Sequence, residues 1–297
     1  MDHLDALRLF VRVVERGSFT AAAADLGLSR STATEAVRRL ETRLGARLLE
    51  RTTRHVSSTP DGHAFYARCV AILADMEDAE AVLRDADPRG RLRIDASPLL
   101  TRTFLLPRLP AFTLRYPRLD IQFGQSDRLV DLVREGIDCA IRAGEPADSD
   151  LLIRPLGRLV EITVASPAYL DRFGTPARLD DLDGHQVVGF LSSRTGEVMP
   201  LEFTDGERVI EVQLKARVSA NNSDTAGELA LLGFGLAQAP RYRFADDIAA
   251  GRLVEVLPAH RPLPMPLSAL YPRGRQFAPR LRVFLDWVSA TFAASGL

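Results

Sequence analysis

The strongest constraint on this chain is the glycine punctuation of its first sixty residues. Gly17, Gly27 and Gly45 cut the segment into three short stretches, each with apolar residues at helical spacing. Leu4, Leu7, Phe10 and Val14 recur every three or four positions, which is one face of a helix. Gly17 ends that helix, because glycine accepts the left-handed conformation that follows a last helical turn. Ser18 caps a second helix, Phe19 to Leu26, whose run Ala21 to Ala24 has high helix propensity and lets another helix approach closely. Ser29 caps a third, predicted to turn Ala33, Val37, Leu40 and Leu44 inward and to hold Arg30, Ser31, Thr32, Thr34, Arg38 and Arg39 on its other faces. Two helices joined by a short glycine-bearing turn predict a helix-turn-helix, whose second helix enters the major groove of DNA.

The next segment extends that reading. After Leu48 and Leu49, the run Arg51-Thr52-Thr53-Arg54-His55-Val56 reads as a strand, a basic turn and a return strand, which makes a wing. The chain has 297 residues and a formal net charge of -1, so it is not built to coat nucleic acid non-specifically. Its basic residues are nonetheless concentrated here: Arg38, Arg39, Arg43, Arg47, Arg51 and Arg54 fall in one stretch, and Lys215 is the sole lysine. The expected DNA-contacting set is Ser29, Arg30, Ser31, Thr32, Thr34, Arg38, Arg51, Thr53 and Arg54. Small hydroxyl residues suit base edges, and arginines suit phosphates or a narrow minor groove. A solvated face with incidental arginines accounts equally well for an isolated helix-turn-helix pattern. The wing and the polar third helix together favour DNA.

Thr59-Pro60-Asp61 is a strong helix start, with a capping hydroxyl, proline in the first turn and then acid. The helix that follows places Phe65, Cys69, Ile72, Met76, Ala79 and Leu83 at alternating four- and three-residue steps, a heptad seam. It lies between two regions with no domain of its own to pack on, so a dimeric coiled coil is expected. Asp85-Ala86-Asp87-Pro88-Arg89-Gly90 breaks it. Beyond, strands and helices alternate, the signature of a parallel α/β arrangement. Strands are read at Leu92 to Ala96, Leu119 to Phe123, Ile137 to Arg142 and Leu159 to Ala165. A helical stretch from about Thr101 to Tyr116 must be interrupted by Pro107 and Pro110. A strand-rich middle follows, then helices at Ser223 to Leu232 and Ala245 to Ala250, and a C-terminal helix carrying Leu281, Phe284, Leu285, Val288 and Phe292.

Over its whole length the chain resembles the LysR-type transcriptional regulators. The resemblance rests on Phe10-Val11 with Gly17-Ser18-Phe19-Thr20-Ala21-Ala22-Ala23, on Leu26-Gly27-Leu28-Ser29-Arg30-Ser31, and on Arg39-Leu40-Glu41 with Leu44-Gly45. It continues through Leu48-Leu49-Glu50-Arg51-Thr52-Thr53-Arg54 and Thr59-Pro60-Asp61-Gly62. Further matching blocks are Arg89 to Ile94, Asp138 to Arg142, Ala165 to Leu170, Asn221-Asn222, Gly235 to Ala237 and Ala249 to Val254. The resemblance implies an α/β protein with an N-terminal all-α winged helix-turn-helix and a two-lobed, periplasmic-binding-protein-like effector domain. Expected boundaries are a DNA-binding domain at 1–59, a linker helix at 60–87, a hinge at 88–91 and the effector domain at 92–297. Lobe I takes about 92–163 and 267–297, and lobe II about 164–266. Homodimers or homotetramers, double-stranded DNA and a small-molecule effector are the implied partners, with RNA polymerase a further one. The chain departs from the family at Ser31-Thr32-Ala33-Thr34-Glu35-Ala36, where Ser-Ala-Val-Ser and then a basic or polar residue are common. It departs again at Pro240-Arg241-Tyr242-Arg243, usually a more apolar stretch.

In two-lobed α/β domains, ligands bind at strand ends and helix N-termini between the lobes. The expected effector residues are Ser97, Thr101, Arg142, Phe190, Asn222 and Pro240. Arg142 suits a carboxylate, so a small anionic effector is predicted. The competing expectation for Arg142 is an internal pair with an acid such as Asp138 or Glu145, and Ser97, Thr101 and Asn222 read equally as caps.

An enzyme is not expected. Gly233-Phe234-Gly235 lacks the third glycine of a dinucleotide fingerprint, and no phosphate loop or serine elbow occurs. The five histidines show no metal-ligand spacing, and Cys69 and Cys139 read as small packing residues, so no metal or cofactor is predicted. A small-molecule carrier without regulatory output is the alternative, but it would need neither wing nor linker helix. No stretch approaches the roughly 18 apolar residues of a membrane span, and the acidic N-terminus lacks a secretory pattern, which predicts a cytoplasmic location and no membrane partner.

Overall fold

The computed structural model describes residues 2–51, 56–83, 87–128, 130–146 and 150–296. The N-terminal unit is α1 (His3–Arg16), α2 (Phe19–Asp25), α3 (Arg30–Leu44), then strands β1 (Leu49–Arg51) and β2 (Val56–Ser58) paired antiparallel. Asp2 caps α1 through a reciprocal bond pair with Asp5, and Gly17 closes it at φ 58°. Leu7, Leu9, Phe10, Val13, Phe19, Ala22, Ala33, Val37, Leu40, Leu48 and Leu49 form one core. Leu44 is a correction: its side chain is exposed, because the last turn of α3 runs past the edge of that core.

The linker helix α4 (Pro60–Leu83) begins as expected, with Gly62 N donating to Thr59 Oγ1 at 2.9 Å. A Cβ at Gly62 would lie 1.8 Å from the Leu48 carbonyl oxygen, so the helix starts in backbone contact with the wing. The first half of the heptad stripe does not face outward. Cys69 is fully buried and Phe65 packs 5.5 Å from the Phe10 ring, both within the N-terminal core alongside Leu73. These two expected seam residues therefore serve the chain's own domain, since α1 offers an apolar face beside the start of α4. Burial pushes the Cys69 thiol up to about 12, which makes it inert. Ile72 is 48% exposed and Met76 half-buried, while the side chains of Ala79 and Leu83 lie outside the described set. The helix α4 also touches the effector domain at its C-terminal helix, Pro279–Ala293, and at the turn Arg275–Phe277.

The effector domain opens with β3 (Gly90–Ala96) and a broken helix: α5 (Pro98–Leu100), a π turn Thr101–Leu105, a 3-10 turn Leu106–Arg108 and α6 (Leu109–Arg115). Pro107 and Pro110 interrupt it as predicted, since neither can donate to the helical ladder. Then come β4 (Leu119–Gln125), α7 (Leu132–Glu135), β5 (Cys139–Ala143), β6 (Leu151–Leu159), β7 (Glu161–Ala165), α8 (Pro167–Phe173), β8 (Gln186–Phe190), β9 (Leu201–Asp205), β10 (Arg208–Val212) and β11 (Lys215–Ala220). The chain finishes with α9 (Ser223–Leu231), β12 (Ala237–Pro240), α10 (Arg241–Ala249), β13 (Val254–Val256), β14 (Met265–Pro272) and α11 (Pro279–Ala293).

Lobe I is a five-stranded sheet in the order β4-β3-β5-β14-β6. Only the pairings β3–β4 and β3–β5 are parallel; β14 runs antiparallel to both its neighbours, so the expected parallel pattern holds for part of the sheet. Its core gathers Leu92, Ile94, Phe104, Phe112 and Ile141 under Leu281, Phe284, Leu285, Val288 and Phe292 of α11. Lobe II contains the sheet β12-β7-β13 and the pair β11-β8, linked by a bridge between Val187 and Leu236. The single strand read at Leu159 to Ala165 is two strands in two sheets. The chain leaves lobe I after Leu159 and enters lobe II at Glu161, with exposed Val160 between them. The sequence hides this crossing because no glycine or proline marks it and the residues on either side of Val160 continue with strand-forming side chains. No helix among the described residues is long and apolar enough to cross a membrane.

Candidate nucleic-acid interface and inter-lobe site

The N-terminal site is built on α3. Gly27, at φ +65°, turns the chain between α2 and α3, and Ser29 Oγ accepts from Thr32 N at 3.1 Å to cap α3. The same oxygen lies 2.8 Å from both Ser31 Oγ and Thr32 Oγ1, so three hydroxyls form one network at the helix start. Thr34 Oγ1 donates to the Arg30 carbonyl at 2.9 Å. Arg30, Ser31, Thr34, Glu35 and Arg38 line one open groove beside the helix. Among the described residues, the guanidinium groups of Arg30 and Arg38 form no ion pair, which leaves their charge available to a polyanion. Glu41 reaches the other way: its Oε1 accepts from Leu48 N at 2.9 Å and Leu49 N at 3.1 Å, tying α3 to the first wing strand. The sequence carries no local signal for that role, because Glu41 meets Leu48 and Leu49 only through the turn that follows α3. Thr53 and Arg54 of the expected set lie outside the described residues, as does the side chain of Arg51.

The second site is the junction of the lobes. Asn222 caps α9 as the capping alternative held, with Oδ1 accepting from Thr225 N at 3.0 Å. Its Nδ2 donates to Asp127 Oδ2 at 3.2 Å, and Ser223 N and Oγ donate to the same oxygen at 2.9 and 3.2 Å. Asp127 comes from the loop after β4, in lobe I, so an internal carboxylate already occupies the helix N-terminus where an anionic ligand was expected. Arg102 of lobe I pairs with Asp224 of lobe II at 3.6 Å, and Phe104 meets Tyr242 edge-on at 4.9 Å. Burial, with Asp127 and Asp224 nearby, holds the Tyr242 hydroxyl protonated by pushing its pKa up.

Arg142 is the clearest correction. Its guanidinium is paired with Asp95 on β3, and both side chains are largely buried, at 15% and 7% exposure. The remaining donors go to the carbonyls of Asp95 at 3.4 Å, Ile141 at 3.2 Å and Arg128 at 3.2 Å. Ser126 Oγ also donates to Asp95 at 3.3 Å. Arg142 thus braces the loop that presents Asp127 instead of facing a ligand. Neither Asp138 nor Glu145 is its partner; Asp138 instead takes Arg275, Arg280 and the Arg93 amide.

The other expected residues divide. Thr101 is fully buried, and its Oγ1 has no hydrogen-bond partner among the described residues. Ser97 begins α5 without a side-chain cap. Phe190 ends β8 half-buried, and Pro240 begins α10 half-buried. The charged stretch after Pro240 is spent on structure: Arg241 pairs with Glu255, and Arg243 lies among Asp224, Glu228 and Asp247.

Residues 4–63 match the bacterial regulatory helix-turn-helix proteins of the lysR family, and residues 85–293 match the LysR substrate binding domain. The chain is 35% identical to an HTH-type transcriptional regulator, YhjC, of Escherichia coli K12, over 97% of each chain. It is 37% identical to the HTH-type transcriptional repressor PA14_22550 of Pseudomonas aeruginosa, over 99% of this chain and 93% of the other. Among solved structures, CrgA of Neisseria meningitidis, described as a LysR-type transcriptional regulator, superposes with a TM-score of 0.60 at 32% identity, covering 98% of this chain and 99% of that one.

Proposed function

The chain belongs to the LysR family of transcriptional regulators, and from that premise we propose that α3 reads operator DNA while a small molecule acting at the lobe junction sets the spacing of two such heads. The observation that carries the first half is the groove beside α3, where Arg30 and Arg38 stand unpaired among the described residues beside small hydroxyl side chains. Ser29, Ser31, Thr32 and Thr34 lie at base-edge height, Arg30 and Arg38 hold phosphates, and Arg51, Thr53 and Arg54 extend the contact from the wing. The relatives are named regulators, and the role proposed here is likewise non-catalytic, with no cofactor.

For the effector half, Thr101 Oγ1 is a buried hydroxyl without a hydrogen-bond partner among the described residues, and it precedes Arg102, which pairs with Asp224 across the lobes. We place the effector there, bounded by Phe190, Asn222 and Pro240. Any anionic group on it must compete with Asp127 for the N-terminus of α9, so binding and lobe separation are one event. Only a ligand with different affinity for the two lobe arrangements can drive such a change. Exposed Ile72 and half-buried Met76 on α4 are the surface offered to a second copy, giving a homodimer or, by further pairing, a tetramer. Residues 1–59, 60–87, 88–91 and 92–297 divide these tasks, and contact with RNA polymerase belongs to the same reading, as does action in the cytoplasm.

Mobility shifts at nanomolar protein test the DNA half, using duplexes flanking the protein's own coding sequence against scrambled duplexes of equal length. Retarded specific complexes that survive competitor DNA are expected. Equal binding of both sets would overturn the reading and favour a carrier without regulatory output.

A further inference from the structure

Glu35 is an acid at the centre of the face that should meet a polyanion. The buried stripe of α3 is Ala33, Val37 and Leu40. At about 100° per residue, Glu35 stands roughly 200° from Ala33, almost opposite that stripe. It shares the open groove with Arg30, Ser31, Thr34 and Arg38, and its side chain is 52% exposed. Its carboxylate makes one surface ion pair within the helix. Arg39, one turn on, donates from Nε to Glu35 Oε1 at 3.0 Å. Among the described residues, Oε2 accepts no hydrogen bond, so one oxygen is engaged by Arg39 and the other is left for a donor from outside the chain.

The hydroxyls around it are less available than the sequence implies. Ser31 and Thr32 are tied to Ser29, and Thr34 is tied to the Arg30 carbonyl. Glu35 is therefore the strongest exposed acceptor on the reading face. In the major groove a carboxylate is repelled by phosphates and by the N7 and O6 acceptors of guanine. The partners it can satisfy are the exocyclic amines of cytosine, at N4, and of adenine, at N6. Adenine presents N7 beside its amine, an acceptor that a carboxylate cannot use. Cytosine presents the amine alone.

We propose that Glu35 is a specificity-determining residue that selects a cytosine amine at one position of the bound site. The cost is weaker attraction to DNA in general, and the gain is discrimination against every base whose edge offers no amine there. This rests on the reading of α3 as the base-reading helix.

The test is binding-site selection from a random duplex pool with the full-length protein, repeated with Glu35→Ala and Glu35→Gln, followed by affinities for the selected site. Wild type should enrich a site with a required cytosine, and replacing that base should weaken binding about tenfold. Glu35→Ala should lose preference at that position alone while binding random duplex more tightly. Glu35→Gln, which can both donate and accept, should move the preference toward adenine, whose N6 and N7 suit an amide. Circular dichroism checks that both variants fold, and Glu35 is exposed enough that folding should be unaffected. The same selected site for all three proteins would overturn the role of Glu35 and leave the helix assignment standing. No enrichment by wild type would overturn both.

Discussion

The reading face of α3 and the junction between the lobes treat charge in opposite ways. On α3, Arg30 and Arg38 are without ion-pair partners among the described residues, and their groove is open to water. At the junction, Asp127 receives three donors from the N-terminus of α9, and Arg142 divides its guanidinium between Asp95 and three carbonyls. The difference follows from dielectric. An exposed guanidinium costs little to leave unpaired, whereas a buried charge must be satisfied internally. A surface that must bind DNA keeps its charges unspent, and a surface that must hold two lobes together cannot.

The largest expected effect breaks the buried pair. Asp95→Ala leaves Arg142 with carbonyl partners alone at 15% exposure and should destabilise the protein by roughly 3–5 kcal/mol. Adding Arg142→Met should restore much of that loss in urea unfolding. Near-wild-type stability of the single variant would mean that water screens the pair and the contrast with α3 is false.

Glu161 is the exception that sharpens the comparison. It is buried at the lobe crossing with Glu202 as its charged neighbour, and burial first, then Glu202, raise its pKa from 4.5 to about 7. The folded state therefore binds this proton more tightly than the unfolded chain. That contribution is complete below pH 4.5 and is lost as pH rises through 7, an effect of about 2–3 kcal/mol between pH 5 and 8. Glu161→Gln should remove the slope and gain stability at pH 8. His185, whose pKa burial lowers from 6.5, acts in the opposite sense on acidification in both proteins, so their difference isolates Glu161. Parallel stability curves would mean that Glu161 is already paired.

On α3, the double variant Arg30→Ala/Arg38→Ala should lower affinity about tenfold at moderate salt and reduce the salt slope by about two units. Its thermal stability should stay within about 0.5 kcal/mol of wild type, because neither side chain supports the fold. A large loss of stability would show that these arginines are structural. The smallest effect is expected of Asp127→Ala. It removes a carboxylate from the α9 N-terminus and should cost about 1 kcal/mol. The lobes should separate more readily, read as a larger radius of gyration in small-angle scattering of the free protein. An unchanged radius would leave Arg102–Asp224 and Phe104–Tyr242 as sufficient closure.

Local chemistry was legible where it depends on neighbours in the chain. Ser18, Ser29 and Thr59 cap the helices that their positions predicted, and the stripe Leu281, Phe284, Leu285, Val288 and Phe292 is buried along α11. The candidate site was legible only in part. Asn222 lies at the junction, but Asp127, its partner across the lobes, carried no signal, since an acid in a polar loop looks the same whether solvated or bonded. The strand β6 escaped because its alternation is broken by Pro155 and Gly157, and its pairing with β14 reaches across more than a hundred residues.

Periodicity, caps and glycine breaks alone determined three helices, a wing, a linker helix and an α/β region, because each depends on contacts within a few residues. Tertiary structure decided which partner each buried group takes. Arg142 could have met a ligand, Asp138 or Glu145, and it meets Asp95 because parallel β3 and β5 lie side by side. Phe65 and Cys69 could have faced a second chain, and they face α1 because α4 starts against the wing. Burial makes an unpaired charge or an uncovered apolar face expensive, so those choices are settled by whichever element the fold brings near, and a linear sequence does not contain that distance.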